Sequence, residues 1–459
     1  MLVPCLMNSC TDNHQAGTEW MKDDTTFAFL RVYQLQPRVD IDAAQTLSPS
    51  QSVYLQHLLG VLYASNSVQH IDLWKNGESG PSTRQMFKML TEVSEYIRLA
   101  ADVSIDSIVQ NLGTKNIFDA GLFNKHEILE VAHRAVFVIV GALTMLYTTV
   151  EDKANITIVG LQVVIGNQRE SPTKKQALRG LSEFLRKFGD VLPQNGPTTL
   201  HTESLPGFNA TEGLILTTNM SLATICRIAK LEIHWVLCIG EHFTLDLTPE
   251  RQRLSVFVLP SFCNVSMTDV SPFARQVFLF MDAHDYELTN HRVSDSFYEE
   301  WMKPQGMCGS KYAQEVLHTL LILLGTEKSR KLFKNKEIPS IKSLNLNYDL
   351  TFDQLNDDLQ HKKVSLKESY SKTSDFPILA HRLELLEQYV NNQQPSRLMG
   401  LWKDDRDIMR WYTLWAVIGL GLFASIIAVL QVGIGIFQAV YAKKAYDSQA
   451  KTSPSSPGA

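Results

Sequence analysis

The chain has 459 residues, of which 44% are hydrophobic and 20% charged, and its formal net charge is -5. A mildly acidic chain lacks the basic footprint of nucleic-acid binding, so we expect no nucleic-acid partner. The length allows a sizeable core in one domain or two, and the composition is ordinary for a globular protein with one apolar segment.

The first predicted elements are helices and short strands. Residues 1–24 are polar and predict a loose N-terminus, and residues 27–35 are a strand candidate. Residues 53–64 are apolar enough for a buried helix or a buried strand, which periodicity cannot separate. Over residues 82–100 the apolar positions recur at spacings of three and four, which predicts an amphipathic helix.

A second helix is predicted over residues 124–150. Its portion 135–150 carries no charge for sixteen residues, so a membrane span is one interpretation. Sixteen residues are few for a bilayer, and Glu130, His133 and Arg134 directly precede them. We favour a helix that is buried on all sides in the core.

The middle of the chain alternates between strand and helix signals. β-branched residues over 156–165 predict a strand. A helix should follow, with Ser171 as N-cap, Pro172 at its first position and Gly189 as C-cap. Between residues 228 and 263 the apolar period changes to two, which predicts an antiparallel meander of three strands.

The last part of the head is predicted to be helical, over residues 272–281, 311–324 and 327–335. Residues 341–375 are rich in Asn, Asp, Lys and Ser and poor in apolar clusters, which predicts a mobile loop. The predicted organisation is a loose N-terminus (1–24), a globular head (25–340), a mobile loop (341–375), a juxtamembrane helix with a charged collar (376–410), a transmembrane helix (411–442) and a short polar tail (443–459).

Residues 411–442 contain no charged side chain. At about 1.5 Å per residue they exceed the roughly 30 Å of hydrocarbon in a bilayer, which predicts a transmembrane helix. Trp411, Trp415 and Tyr441 lie where aromatic belts are expected. The flanks carry three basic residues on each side, so the positive-inside rule does not decide the orientation.

The expected compartment of the head is the cytosol, as in a tail-anchored protein, because the first residues lack the pattern of a signal peptide. Six scattered cysteines without a C-x-x-C pair favour free thiols, although disulfides in a secreted head are the alternative. They are Cys5, Cys10, Cys226, Cys238, Cys263 and Cys308. Four sequons would favour the opposite topology if used, and we expect them to be unmodified. They are Asn155, Asn209, Asn219 and Asn264.

Small and polar residues are grouped on the surface of the predicted transmembrane helix. Gly421 and Ser425 belong to a ridge of small residues, and Gln431 and Gln438 lie seven residues apart on one side. The lipid bilayer is therefore an expected partner, and a homo-oligomer through this helix is a hypothesis. The alternative is a membrane helix that is simply rich in Gly and Ala.

The signatures of common phosphate, dinucleotide, zinc-protease and hydrolase sites do not occur in the sequence, and no cofactor is expected. His126, Glu130 and His133 share a helix face and could present three ligands to a metal, although a solvated polar face is commoner. A second cluster follows a predicted helix, where an acidic surface loop is the alternative. It contains Asp282, His284, Asp285, Glu287 and His291. Cys5, Cys10 and His14 could supply half of the ligands of a zinc site, but the sequence offers no second half.

The stretch KDDRDIMRWYTLWAV, with FPILAHRLELLEQYV before it, resembles the C-terminal signature of a large set of uncharacterised filamentous-fungal proteins with a single C-terminal transmembrane helix. RAVFVIVGALTMLY, LSEFLRKFGDVLP and LEIHWVLCIGEHFTLDL are similar to further blocks of that set. The likeness covers residues 134–442 and is loose before Gly113. It implies that the head and the anchor are one unit, and it brings no catalytic residues.

The sequence thus predicts a helix-rich α+β head with a small antiparallel sheet and one C-terminal transmembrane helix. The leading hypothesis for its function is an interaction or scaffold protein with an unidentified protein partner. One alternative is a membrane-associated accessory protein or enzyme of a fungal biosynthetic pathway with an unrecognised site. The other is an oligomeric pore in which Gln431 and Gln438 line a passage.

Overall fold

The structure is a computed structural model, and it divides into two compact units, one ending at Gln393 and the other beginning at Gln394. The described residues are 49–74, 81–99, 103–152, 154–155, 157–165, 168–186, 214–248, 251–267, 308–343, 348–361, 366–393 and 408–452. The strand predicted over 27–35 and the helix predicted over 272–281 lie outside them.

The first unit begins with four helices. They are α1 (Pro49–Ala64), α2 (Thr83–Leu99), α3 (Ile105–Thr114) and α4 (His126–Thr144). Helix α1 resolves the ambiguity over residues 53–64, and α2 confirms the amphipathic helix, with Met86, Leu90 and Val93 fully buried. Helix α3 was not predicted.

Helix α4 is the centre of the core. Its last fifteen residues, from Glu130 to Thr144, are all buried, which agrees with the favoured interpretation of this segment. The Tyr54 hydroxyl of α1 donates to the Ala142 carbonyl at 2.9 Å. The helix ends six residues before the predicted position 150, because Met145 adopts a left-handed φ of 51°.

A three-stranded antiparallel sheet follows, in the order β1-β2-β3. Its strands are β1 (Thr148–Glu151), β2 (Leu161–Ile165) and β3 (Gln168–Glu170). The strand predicted over 156–165 is therefore shorter, because a 3-10 turn occupies Ile158–Gly160.

The helix predicted from Ser171 is two short helices. They are α5 (Lys174–Ala177) and α6 (Leu181–Arg186). The N-cap is Thr173, because it forms a capping box with Gln176, so the prediction of Ser171 was wrong. Gly180 pairs with Ser104 in an isolated bridge, which interrupts the helix.

The second sheet is mixed. Strand β4 (Leu214–Leu216) and helix α7 (Leu222–Arg227) lead into β5 (Glu232–Val236), β6 (Leu245–Thr248) and β7 (Arg251–Phe257). The strand order is β5-β7-β6, with β6 and β7 antiparallel but β5 and β7 parallel. The predicted meander was wrong, because apolar alternation marks strands but does not choose their neighbours.

Helices complete the core. They are α8 (Pro260–Ser266), α9 (Cys308–Leu324), α10 (Glu327–Leu332) and α11 (Ile338–Ser343). A π-helical turn, Phe333–Glu337, joins α10 to α11, so the helix predicted over 327–335 continues further. Trp235 of β5 packs edge-to-face against Phe333 and Phe352.

The loop predicted over residues 341–375 contains regular structure. Its elements are α12 (Thr351–Gln360), β8 (Ser369–Ser371) and α13 (Lys372–Asp375). Phe352 and Tyr370 are buried, and β8 pairs with β4 antiparallel, placing Tyr370 opposite Ile215. The apolar residues here are few, but Phe352, Leu355 and Tyr370 reach the core, which composition does not reveal.

The first unit ends with α14 (Ala380–Asn392), which lies within the range 376–410 predicted for the juxtamembrane helix and charged collar. The second unit contains α15 (Ile408–Thr452), which includes residues 411–442 and continues into the predicted polar tail. The fold class is confirmed: the head is helix-rich with small sheets, and one apolar helix follows it. The mixed sheet is the exception to the antiparallel pairing.

Candidate functional site

Helix α15 is the one described helix that is long and apolar enough to cross a membrane. The qualifying stretch is Trp415–Ser448, with a mean hydropathy of 2.4 in its most apolar window. None of that window is buried within the protein. Val429 and Phe437, for example, are 72% and 68% exposed. Large apolar side chains in this number need a nonaqueous surrounding or a partner.

The polar side chains of α15 differ in their bonding. The Ser425 hydroxyl donates to the Gly421 carbonyl at 2.8 Å, so the helix satisfies it internally. Gln431 and Gln438 are exposed, and their amides make no hydrogen bond within the described residues. Tyr412 and Tyr441 are exposed near the two ends of the apolar segment, where aromatic belts form.

The predicted ligand face on α4 is divided between other partners. The His133 Nε2 lies 2.8 Å from Asp106 Oδ1, and Glu130 Oε1 lies 2.5 Å from the Lys174 Nζ. Lys174 also contacts the exposed ring of His126. A lysine ammonium thus occupies the position where a metal would be shared by His126 and Glu130. Across the described ranges no group of three or more His, Cys, Asp or Glu could hold a metal ion.

The Asp106–His133 pair connects α3 to α4. Asp106 accepts a second hydrogen bond from Gln110 at 2.6 Å. The His133 Nδ1 is buried and makes no hydrogen bond. An Asp–His pair can transfer protons, but this Nδ1 is closed to solvent and therefore to a substrate. Its evident role is to hold the two helices together.

Several predicted site residues lie outside the described part of the chain. They are Asp282, His284, Asp285, Glu287, His291, Cys5, Cys10 and His14. For the apolar helix, the backbone of Trp411 is described and its side chain is not.

Arg134 is a fully buried cation that was not singled out as a site residue. Its Nε donates to Glu151 Oε1 at 3.0 Å, and its guanidinium also donates to the carbonyls of Asp152 and Asn155. The side chain thus connects α4 to β1 and the turn after it. In the sequence, the feature that could have indicated this role is the position of Arg134 directly before the uncharged run 135–150.

Glu315 is a buried carboxyl on α9 that caps the N-terminus of α14. Its Oε2 accepts from the backbone N–H groups of Ile378 and Leu379 at 3.1 and 2.8 Å. Burial raises its pKa to about 7, although these two bonds and Lys311 lower it. The charge stabilises the helix terminus, and its desolvation opposes ionisation.

His242 is a second fully buried ionisable group. Its Nδ1 accepts from the Phe257 backbone N–H at 3.1 Å, so the proton is on Nε2, which donates to Thr319 Oγ1 at 2.7 Å. Burial holds the pKa of His242 well below its usual value, with Arg382 contributing. The imidazole is therefore neutral and fixed in one tautomer, which suits a structural group.

Asp349 joins two helix termini. Its Oδ2 accepts from the Ser261 N–H at 2.8 Å, at the start of α8, and its Oδ1 accepts from the Thr351 N–H at 2.9 Å, at the start of α12. Burial raises its pKa, while these hydrogen bonds oppose the rise. The carboxyl therefore belongs to the packing of the predicted loop region.

Three cysteines in the described part of the head are free thiols, Cys226, Cys238 and Cys263. Burial raises the pKa of Cys226 to about 12, with the neighbouring Glu337 carboxylate contributing, and burial also raises the other two. Because the thiolate is the reactive form, these side chains are poor nucleophiles at neutral pH.

One sequon is inaccessible in the folded head. Asn219 is 4% exposed, and its Nδ2 donates to Asn391 Oδ1 of α14 at 3.2 Å. The Asn155 Oδ1 accepts from the N–H and hydroxyl of Thr157. Asn264 is half-buried, and Asn209 lies outside the described residues. A glycan on Asn219 is incompatible with this packing.

Comparisons with protein-family models, with curated proteins and with solved structures find no match. The resemblance to the fungal membrane proteins therefore stays a prediction.

Proposed function

We propose that this protein is a single-pass membrane protein with a cytosolic head, and that the head acts as an interaction or scaffold module. The observation that carries the proposal is the uncovered apolar helix α15. Its stretch Trp415–Ser448 is about 50 Å long at 1.5 Å per residue, more than the roughly 30 Å that a span requires.

Two features of the head support the cytosolic orientation. Cys226, Cys238 and Cys263 remain thiols, as expected in a reducing compartment. The buried Asn219 could not carry a glycan in this fold. Modification in the secretory pathway precedes folding, so a lumenal head would risk a glycan at a core position.

The bonding of the head's buried ionisable groups favours a scaffold role. Arg134, Glu315, His242 and Asp349 all bond to backbone groups that join separate elements. Groups bonded in this way stabilise the fold and are not placed to receive a substrate. A rigid surface is what an interaction module presents to its partner.

The test is fractionation and protease protection of microsomes carrying the full chain with an N-terminal tag. We expect the chain to resist carbonate extraction, the tag to be digested without detergent, and glycosidase to leave its mobility unchanged. Release by carbonate would overturn the membrane anchor. A protected tag would overturn the cytosolic orientation. For the scaffold role, a specific protein partner should be retained by the wild-type chain in detergent, and failure to retain any would count against it.

A further inference from the structure

The side chains of α15 are sorted by size around the helix. Between Gly421 and Ala442, ten residues are Gly, Ala, Ser or Gln, and seven of them lie on one face at spacings that alternate between three and four. This face, called the small face below, consists of Gly421, Ala424, Ala428, Gln431, Gly435, Gln438 and Ala442. The large apolar side chains lie on the rest of the circumference, together with Ser425, Gly433 and Ala439.

An uninterrupted spacing of three and four has a defined meaning for helix packing. It averages 3.5 residues per turn, the repeat of two helices that wind around each other with a left-handed supercoil. Small side chains on that seam let two backbones approach closely, which drives association in lipid. A Cβ added at Gly421 or Gly435 would meet no atom within 4 Å, so this face is uncovered in the single chain.

The two glutamines of the small face add a chemical reason for a partner to the steric one. Their amides make no hydrogen bond within the described residues, and Gln431 is near the middle of the apolar segment. An unpaired amide in hydrocarbon costs several kcal/mol by transfer scales. Each carboxamide has both donors and an acceptor, so two identical amides can bond to each other across a twofold axis.

We propose that α15 pairs in parallel with the same helix of a second copy through the small face, with Gln431 facing Gln431 and Gln438 facing Gln438. The proposal rests on the proposed membrane span, which puts all copies in one orientation. We choose a second copy of the chain as the partner because its Gln431 and Gln438 lie at the same depths in the bilayer as those of the first copy.

The chain contains a matched control. Gly433 and Gly435 are two residues apart and nearly opposite around the helix, and neither has a neighbour for an added Cβ. Gly433 lies in a groove with Val429 and Phe437, whose border includes Gln438 of the small face. A partner seated at Gly433 is the competing arrangement. Gly433→Leu and Gly435→Leu add the same side chain and the same hydrophobicity, so only the face differs.

The experiment measures energy transfer between full-length chains with donor or acceptor fluorophores on C-terminal tags, in phosphatidylcholine vesicles at increasing lipid dilution. We expect wild-type transfer to persist on dilution, Gly435→Leu to weaken association by about tenfold or more, and Gly433→Leu to match the wild type. Replacing both Gln431 and Gln438 by Leu should also weaken it, although the helix becomes more apolar.

Equal transfer in all variants, or loss only in Gly433→Leu, would overturn the small face as the interface. A wild-type chain that is monomeric at all dilutions would overturn pairing itself. Carbonate extraction of every sample separates the two proposals. A chain that is extracted contradicts the membrane span, whereas an embedded monomer contradicts only the pairing.

Discussion

Two apolar helices of this protein have opposite surroundings. Helix α4 (His126–Thr144) is buried along its last fifteen residues, whereas α15 (Ile408–Thr452) has an apolar stretch that nothing in the described structure covers. The uncharged run of residues 411–442 lies wholly within α15, whereas α4 contains the first ten residues of the uncharged run 135–150. Of the described helices, α15 alone is long and apolar enough to span a membrane.

The two helices differ in whether they carry charged side chains and in what pairs with them. The first half of α4 carries Glu130, His133 and Arg134, and each has a partner on another element of the head. Helix α15 has no charge in its apolar segment and therefore nothing to pair. A buried core helix can carry charged side chains because neighbouring elements supply ionic and hydrogen-bond partners. A membrane-spanning helix is surrounded by lipid tails, which supply none.

The largest expected effect comes from the same substitution in both helices. Val138→Asp puts an unpaired carboxylate into the core and should unfold the head, because burial of such a charge costs more than 4 kcal/mol. Val429→Asp should leave the head folded and weaken insertion by about 3 kcal/mol. Protease resistance of the head and carbonate extraction measure the two effects. Loss of head structure in Val429→Asp would contradict the contrast.

The next effect concerns the buried charge itself. Arg134→Ala removes the cation that pairs with Glu151, which keeps hydrogen bonds from Asn66 and Ser67, and it leaves two carbonyls without this donor. The free energy of unfolding should fall by about 3–5 kcal/mol. Urea denaturation of the full chain in detergent measures it. The matched control is Arg179→Ala, because Arg179 pairs with Glu183 on the surface and should contribute at most about 1 kcal/mol. Similar losses in both variants would show that burial of Arg134 does not matter.

A smaller effect is pH dependence that belongs to the head alone. The pKa of Glu315 is raised from 4.5 to about 7, so the folded state binds this proton more tightly than the unfolded state. The contribution of Glu315 to the free energy of unfolding should therefore fall by about 2–3 kcal/mol as the pH rises from 5 to 8, and level off above 7. Residues 413–440 of α15 contain no ionisable group.

The measurement is the difference between the wild type and Glu315→Gln across this pH range, because Gln keeps an oxygen acceptor but does not titrate. Subtraction is needed because burial lowers the pKa of His57 to about 4 and lowers that of His242, which favours folding as the pH rises toward 6.5. A constant difference between the two proteins would refute the assignment to Glu315.

The smallest effect compares two helical glycines. A Cβ at Gly141 of α4 would lie 2.7 Å from the Tyr147 ring, whereas a Cβ at Gly433 of α15 would meet nothing within 4 Å. Gly141→Ala should therefore lower the free energy of unfolding by about 1–3 kcal/mol. Gly433→Ala should not lower it, because Ala favours helix by up to about 1 kcal/mol. Thermal denaturation distinguishes the two, and an equal loss would argue against close packing at Gly141.

The elements that the sequence predicts well are those with local signals. Helix α2 has an uninterrupted apolar period, and α9 agrees with its predicted range within a few residues. The start of α5 was misplaced by two residues because Ser171 and Thr173 are both good caps, and only the reciprocal bond with Gln176 decides between them.

The candidate sites were harder to predict than the helices. His126, Glu130 and His133 do share a helix face, but the sequence does not show that Asp106 and Lys174 arrive from elsewhere to bind them. Glu315 and Asp349 are acidic residues like many on the surface. Their burial depends on helix termini that are distant in sequence and need an acceptor.

The sequence by itself determined the apolar helix, its length, its uncharged segment and the small face, because all of these are periodic properties of one continuous stretch. It also determined the helix-rich class. Only the tertiary structure decided that α4 is enclosed, that β5 runs parallel to β7, and that the residues of the predicted loop complete the core. The physical reason is that these outcomes depend on contacts between segments far apart in the chain, whose partners no local pattern specifies.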